Sequence, residues 1–283
     1  MNNKEREFML GIKRDYKVTE DNRLAQQRYT TRKSKGTAPT LSEEKAFAYI
    51  ISQIKPTDTY LKPIEFDIRE FCDICGLTAQ QYYTHVKDTL DRLMSRRFWI
   101  QRENGKEDGY PYLIHVGLDT GKGRGSVDIH PDLAPFLIQL KGNYYQFTFH
   151  SILAMKSVHG IRLYKLLKSL YYKGTDIEFD IETLKGHLDC IGKYEKFYNF
   201  RRKVLEPALK DINTYSDLQV TMESKKTGKF ITSLVFHTVD LTRENMPEDI
   251  VTANERYRNV ERELNPDQLA FDDVFNSIGD YPL

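Results

Sequence analysis

Five residues occur twice in this 283-residue chain: Ile64-Glu65-Phe66-Asp67-Ile68 returns as Ile177-Glu178-Phe179-Asp180-Ile181. Each copy alternates apolar and acidic side chains, the two-residue period of a short, half-buried strand. Each is followed by a helical stretch, a break, a longer helix and two apolar strands. An order repeated at a spacing of about 110 residues implies one small domain built twice. A unit of this order is of the DNA-binding type, which puts a tandem nucleic-acid reader ahead of an enzyme.

The bulk numbers agree with two domains and tails. Hydrophobic residues make up 40% and aromatics 12% of the chain, enough for two modest cores. No apolar run approaches the roughly 20 residues of a membrane span, and the polar opening (Met1, Asn2, Asn3, Lys4, Glu5) has no signal-peptide core. Three cysteines, an odd count, suit a reducing cytoplasm. The net charge of +1 looks poor for a polyanion binder, but it conceals an asymmetric layout. Residues 1–38 hold ten Lys/Arg against five acids, and residues 240–283 hold eleven acids against four arginines. A basic head and an acidic tail cancel in the sum, whereas a polyanion responds to the local field.

The periodicity predicts an α+β chain: a flexible basic arm over 1–37, a first domain over 38–141, a second over 142–240 and an acidic tail over 241–283. In the first domain, Ser42 is expected to cap a helix over 43–55 ended by Pro56. Strand 64–68, a short helix 69–75 closed by Gly76, and a Thr78-capped helix 79–96 follow. Apolar strands 98–101 and 110–118 flank a turn at 104–109, and strand 126–130 lies beyond a Gly-rich loop at 121–125. The second domain is expected to open with a long helix over 149–170, broken at His159-Gly160. Then come strand 177–181, helix 182–188, a long helix 194–212 kinked at Pro207, and strands 218–222 and 230–237 about a turn at 224–229. Helix, strand, helix, turn, helix and hairpin is the winged-helix order, here twice in tandem.

The stretch Lys193-Tyr194-Glu195-Lys196-Phe197-Tyr198-Asn199-Phe200-Arg201-Arg202-Lys203 carries the functional expectation. Phe197, Phe200 and Val204 form a buried stripe, which sends Lys196, Asn199, Arg201, Arg202 and Lys203 to other faces. In a helix-turn-helix the start of the second helix enters the major groove. There Arg suits guanine O6/N7 and Asn suits adenine N6/N7, while lysines suit phosphates. Lys225, Lys226 and Lys229 lie on the expected hairpin, where a wing grips backbone. The bland alternative is a solvated basic helix face behind a turn. In the first domain the equivalent positions are Thr78, Gln80, Gln81, His85 and Lys87, where phosphate contact and an idle polar face weigh equally.

Four segments give this arrangement a family likeness: FTFHSI (147–152), SVHGIRLYKLL (157–167), YEKFYNFRRKVLEPALKDIN (194–213) and KTGK (226–229). Residues 147–238 resemble the C-terminal domain of the iteron-binding plasmid replication initiators of the Rep family, and 41–135 match that family's first winged helix in layout. The resemblance implies monomers on direct repeats of double-stranded DNA at an origin, with Lys196, Asn199, Arg201 and Arg202 facing bases. It further implies opening of an A·T-rich segment, recruitment of host replication proteins such as a helicase or its loader, and dimers formed through the first domain that repress the protein's own gene. A transcriptional repressor of the same fold without a replication role is the alternative.

Weaker signals point elsewhere with less force. Cys72-Asp73-Ile74-Cys75 has zinc-like spacing, but with His187 and Cys190 in the other domain no single metal site is expected. The Gly121-Lys122-Gly123-Arg124-Gly125 loop lacks the Lys-Ser/Thr ending of a Walker motif, so no nucleotide cofactor is expected. No His-x-His pair accompanies the many tyrosines, so no nicking activity and no catalytic residue is expected. Gln268-Leu269-Ala270-Phe271 in the acidic tail partly resembles a sliding-clamp-binding peptide. A small apolar strip of Leu269, Phe271, Val274 and Phe275, docking on the body or ordering on a partner, is the commoner reading of such a segment.

Overall fold

The computed structural model describes residues 17–29, 38–54, 58–75, 82–101, 106–140 and 144–241. Strand β1 (Lys17–Asp21) and one helical turn, α1 (Asn22–Ala25), come first. The first winged helix runs α2 (Leu41–Ile51), β2 (Ile64–Asp67), α3 (Ile68–Cys75), α4 (Tyr82–Ser95), β3 (Arg97–Gln101), β4 (Glu107–Pro111), β5 (Leu113–Asp119) and β6 (Arg124–Ile129). A 3-10 turn (Pro131–Leu133), α5 (Ala134–Leu137), β7 (Tyr144–Thr148) and α6 (Phe149–Leu153) connect it to the second. That unit runs α7 (Val158–Leu170), β8 (Asp176–Asp180), α8 (Ile181–His187), α9 (Phe197–Phe200), a π turn (Arg201–Leu205), α10 (Glu206–Tyr215), β9 (Leu218–Thr227) and β10 (Phe230–Asp240).

The two units share one topology. Their antiparallel sheets are ordered β2-β6-β5 and β8-β10-β9, so in each the first strand pairs with the last strand of the wing hairpin. The repeated pentapeptide explains the local fold of both. Its first Ile and its Phe are buried and its Glu is exposed, as a strand lying on a core requires. Its Asp ends the strand and caps the next helix. Asp67 Oδ1 accepts the N–H of Arg69 (2.9 Å) and Glu70 (3.0 Å), and Asp180 Oδ1 accepts that of Thr183 (2.9 Å). Hairpin β3–β4 has no counterpart in the second unit. It is anchored by Phe98, whose ring stacks on Tyr112 at 3.8 Å.

Buried apolar side chains of both units form one continuous cluster. A charged network crosses between them. Lys165 Nζ lies 2.8 Å from Glu20 and 3.9 Å from Glu44, and Tyr145 donates its hydroxyl to Glu20 Oε2 (2.6 Å). Arg162 donates to Glu44 (3.4 Å), to the Leu188 carbonyl (3.4 Å) and to the Pro39 carbonyl, with its guanidinium 5.3 Å from the Tyr29 ring centre. All four charged residues are buried, so each charge depends on the others for the stabilisation water would give.

Several sequence expectations need correction. Residues 17–29, assigned to a flexible arm, are built into the fold: β1 pairs antiparallel with β7 from Lys17↔Thr148 to Asp21↔Tyr144, and Tyr29 N–H binds the Gly186 carbonyl at 2.9 Å. Helix α2 is capped from Thr40, not Ser42: the Thr40 N–H donates to Glu43 Oε2 at 3.0 Å, the return half of a capping box. It ends at Ile51, short of residue 55. The expected strand 110–118 is two strands in different sheets, because Pro111 cannot extend the ladder and Tyr112 turns into the core. Beyond β6, helical structure is confined to the 3-10 turn and α5, with Pro135 in the latter. The break in 149–170 falls at residues 154–157, where Asp211 Oδ2 accepts the N–H groups of Lys156 (2.7 Å) and Ser157 (2.6 Å). Gly160 lies within α7; a Cβ there would come within 3.2 Å of Asp211, so this glycine serves close packing of α7 on α10. Gly76 and Pro56 lie outside the described residues.

Candidate nucleic-acid interface

Helix α8 ends in a Schellman motif without glycine. Cys190 N–H binds the Lys185 carbonyl at 2.7 Å, Asp189 N–H binds the Gly186 carbonyl at 3.4 Å, and Asp189 takes the left-handed conformation at φ 55. Lys193 folds back on this cap, its Nζ donating to the Asp189 carbonyl (2.8 Å) and carboxylate (3.1 Å). Gly192 (φ 70) and Tyr194 (φ 55) also have positive φ, and this tight turn delays the helix to Phe197 rather than Tyr194. Lys196 is its N-cap residue.

From Phe197 to Tyr215 the helical run is unbroken, but its middle is a π turn. Glu206 N–H binds the Arg201 carbonyl, five residues back. Pro207 has no N–H and its ring crowds the carbonyl four residues back, so a wider turn just ahead of it accommodates the ring. The π turn lies where the sequence predicts a disturbance from Pro207. Phe200, Val204, Leu205, Ala208 and Ile212 are completely buried, and the opposite side presents Lys196, Tyr198, Arg201, Arg202 and Lys203 to solvent. Asn199 is half-buried. Arg201 Nε donates to Glu206 Oε1 at 3.1 Å, and Arg202 Nη1 to the Tyr198 hydroxyl at 3.3 Å. Tyr198, Arg201, Arg202 and Glu206 together line a shallow depression on the exposed face.

The wing differs from expectation in its turn. β9 and β10 pair out to Thr227↔Phe230, leaving a two-residue loop with Gly228 (φ 63) at its first position, as a type II′ hairpin turn requires. Lys225 and Lys226 therefore sit on β9 and only Lys229 sits in the turn. All three are exposed. Lys225 Nζ reaches Glu178 Oε2 at 2.5 Å; hydrogen bonds from Lys225 and Ser233 hold the Glu178 carboxyl below the usual carboxylate range. Among the described residues, Lys196, Lys203, Lys226 and Lys229 form no ion pair, so their charge is available to a polyanion. Asn213 fixes the wing relative to the helix: its Oδ1 accepts Val220 N–H (2.7 Å) and its Nδ2 donates to the Val220 carbonyl (2.9 Å).

In the first unit, Lys87 is exposed and His85 half-buried on α4, while Thr78, Gln80 and Gln81 lie outside the described residues. Tyr83 ties α4 to the wing, its hydroxyl donating to the Thr120 carbonyl at 2.9 Å. Gly125 belongs to β6, where a Cβ would lie 2.4 Å from the Phe66 ring, so this end of the Gly-rich segment is packed, whereas Gly123 at φ 68 has open space around it.

Sequence reasoning overlooked Tyr198 (65% exposed), Glu206, Asn213 and Phe230, which is 78% exposed beside the wing turn. The proline at 207, one residue after an acid and six after an arginine, was the available signal for the first two. Burial pushes the Cys72 thiol up to about 12 and the Cys190 thiol up to about 11, so neither is a ready thiolate. Among the described residues no three His, Cys, Asp or Glu side chains converge as a metal set, and no helix is long and apolar enough to cross a membrane. Burial also holds His159 neutral, its imidazole pushed down to about 4 with Nδ1 3.1 Å from the Leu188 carbonyl.

Fold and surface together define a tandem winged-helix protein whose second unit exposes a cationic helix and wing. The family of initiator replication proteins is matched twice, by its first winged helix (WH1) over residues 17–168 and by its second (WH2) over 180–238. The chain belongs to that family. It is 30% identical over 213 residues to a replication initiation protein of Escherichia coli, an alignment that spans 74% of this chain and 64% of that relative's length. Its fold superposes on the crystal structure of the Pi initiator protein in complex with iteron DNA with a TM-score of 0.65, at 17% identity, covering 80% of this chain and 98% of that one.

Proposed function

We propose that this protein is a cytoplasmic plasmid replication initiator, acting by binding rather than catalysis, that recognises direct repeats of duplex DNA at an origin. One observation carries the reading: the buried stripe from Phe200 to Ile212 orients Arg201, Arg202 and Lys203 outward on a helix whose start is free to enter a major groove. Family membership supports replication, and the Pi initiator was crystallised with iteron DNA on the same fold. Arg201 and Arg202 read bases with Asn199 beside them. Lys196, Lys203, Lys226 and Lys229 hold phosphates. Lys193 and Lys225, engaged by Asp189 and Glu178, contribute chiefly to the local fold.

The two units lie on one continuous core and share a buried charge network. Binding by one therefore presents the other in a set orientation at high effective concentration. Monomers on repeats open an adjacent A·T-rich segment and recruit a host helicase or its loader, and dimers through the first unit repress the gene.

A plasmid carrying the direct repeats and no other origin tests the proposal. Replication that depends on the protein is expected. Sequence-specific binding with no replication means the chain is a repressor only. At the wing, Lys226→Ala should weaken binding to every duplex alike and reduce the slope of log K against log salt by about 1. Titrations at several salt concentrations check this, and a loss confined to one sequence would assign Lys226 to base reading instead.

A further inference from the structure

We infer that Glu206 is a positioning residue for Arg201, and that the π turn ahead of Pro207 exists to bring the two together. The inference rests on the DNA-reading role proposed above and adds a residue that sets specificity without being basic.

In a regular α-helix, residues five apart point about 140° away from each other around the axis. In a π turn, with i→i+5 bonding, they stand one above the other. The Glu206 N–H to Arg201 carbonyl bond is that i→i+5 link, and the side chains of the same two residues meet at 3.1 Å. The contact is made through Arg201 Nε, which leaves both terminal guanidinium nitrogens for the paired acceptors of a guanine edge, O6 and N7. Arg202 is held by a separate partner, the Tyr198 hydroxyl. The four side chains border one depression, so each arginine is oriented before any ligand arrives.

A carboxylate beside a surface meant for phosphates is costly for indiscriminate binding. It repels backbone wherever Arg201 finds no guanine, and it prepays the ordering of a long side chain where it does. Glu206 thus has opposite effects on the two kinds of binding: it weakens non-specific association and strengthens base choice. A residue that only stabilised the helix would move both in the same direction.

The test uses the full chain and three duplexes: the footprinted repeat, the same repeat with its Arg201-read G·C pair exchanged, and a random sequence. Glu206→Ala should bind the random duplex a few-fold tighter while its preference for the repeat over the exchanged pair falls about tenfold, the weight of one good bidentate contact. Glu206→Gln, whose amide oxygen still accepts from Nε, should keep that preference within about threefold. Unaltered thermal unfolding of both variants confirms the fold. Preference unchanged in Glu206→Ala overturns the inference while leaving DNA reading intact. If the native chain itself does not distinguish the repeat from random DNA, the functional proposal falls and this one with it.

Discussion

Arg162→Ala should destabilise the protein by about 3–5 kcal/mol, the range for removing one member of a buried ion pair. The guanidinium satisfies Glu44, the Pro39 and Leu188 carbonyls and the Tyr29 ring at once. Its removal leaves Glu44 buried with only Lys165, 3.9 Å away and itself shared with Glu20. Glu44 lies on α2 of the first unit and Arg162 on α7 of the second, so the loss falls on the joint between them. Denaturant unfolding measures it. The double variant Arg162→Ala, Glu44→Ala should recover part of the loss, since no uncompensated charge remains. Additive losses would show that the two side chains act separately.

Arg201→Ala should relax sequence choice by about 1–3 kcal/mol, or up to about a hundredfold, at one base pair per repeat. The side chain is half exposed and its ion pair with Glu206 is equally exposed, so stability should change little. That separation distinguishes reading from folding. Arg201 is aimed by Phe200, Val204 and Leu205, all fully buried beneath it. Phe200→Ala would blur the same choice by loosening the helix and would lower stability as well. Competition between the repeat and singly substituted duplexes measures the effect. Equal affinities for native and variant chains across all substitutions would remove Arg201 from the reading set.

The duplicated fold was legible because the pentapeptide states it locally: alternation makes the strand and the terminal Asp caps the next helix. The buried stripe Phe200, Val204, Ala208 and Ile212 was equally plain from its spacing. What escaped depends on contacts distant in sequence. β1 is a strand only because β7 offers it an edge far along the chain, as in Val18↔Phe147 and Lys17↔Thr148. A run of five residues, three of them charged, carries no mark of that partner. The break at 154–157 is held open by Asp211, whose carboxylate competes for the amides a helix would use. Gly160 reads as a breaker until its close neighbour on α10 is known. Within the site, composition located the arginines, but their orientation depends on a π turn. Pro207 signals a disturbance and cannot say by itself whether the helix bends or widens.

Methylation interference on origin DNA bound by the full chain tests the central claim most directly. N7-methylguanine blocks the edge an arginine fork would take. One guanine in each direct repeat, in the same register, should be intolerant of methylation with the native chain and tolerant with Arg201→Ala. Binding indifferent to methylation at every guanine, or identical patterns for the two proteins, would contradict recognition through the helix that begins at Phe197.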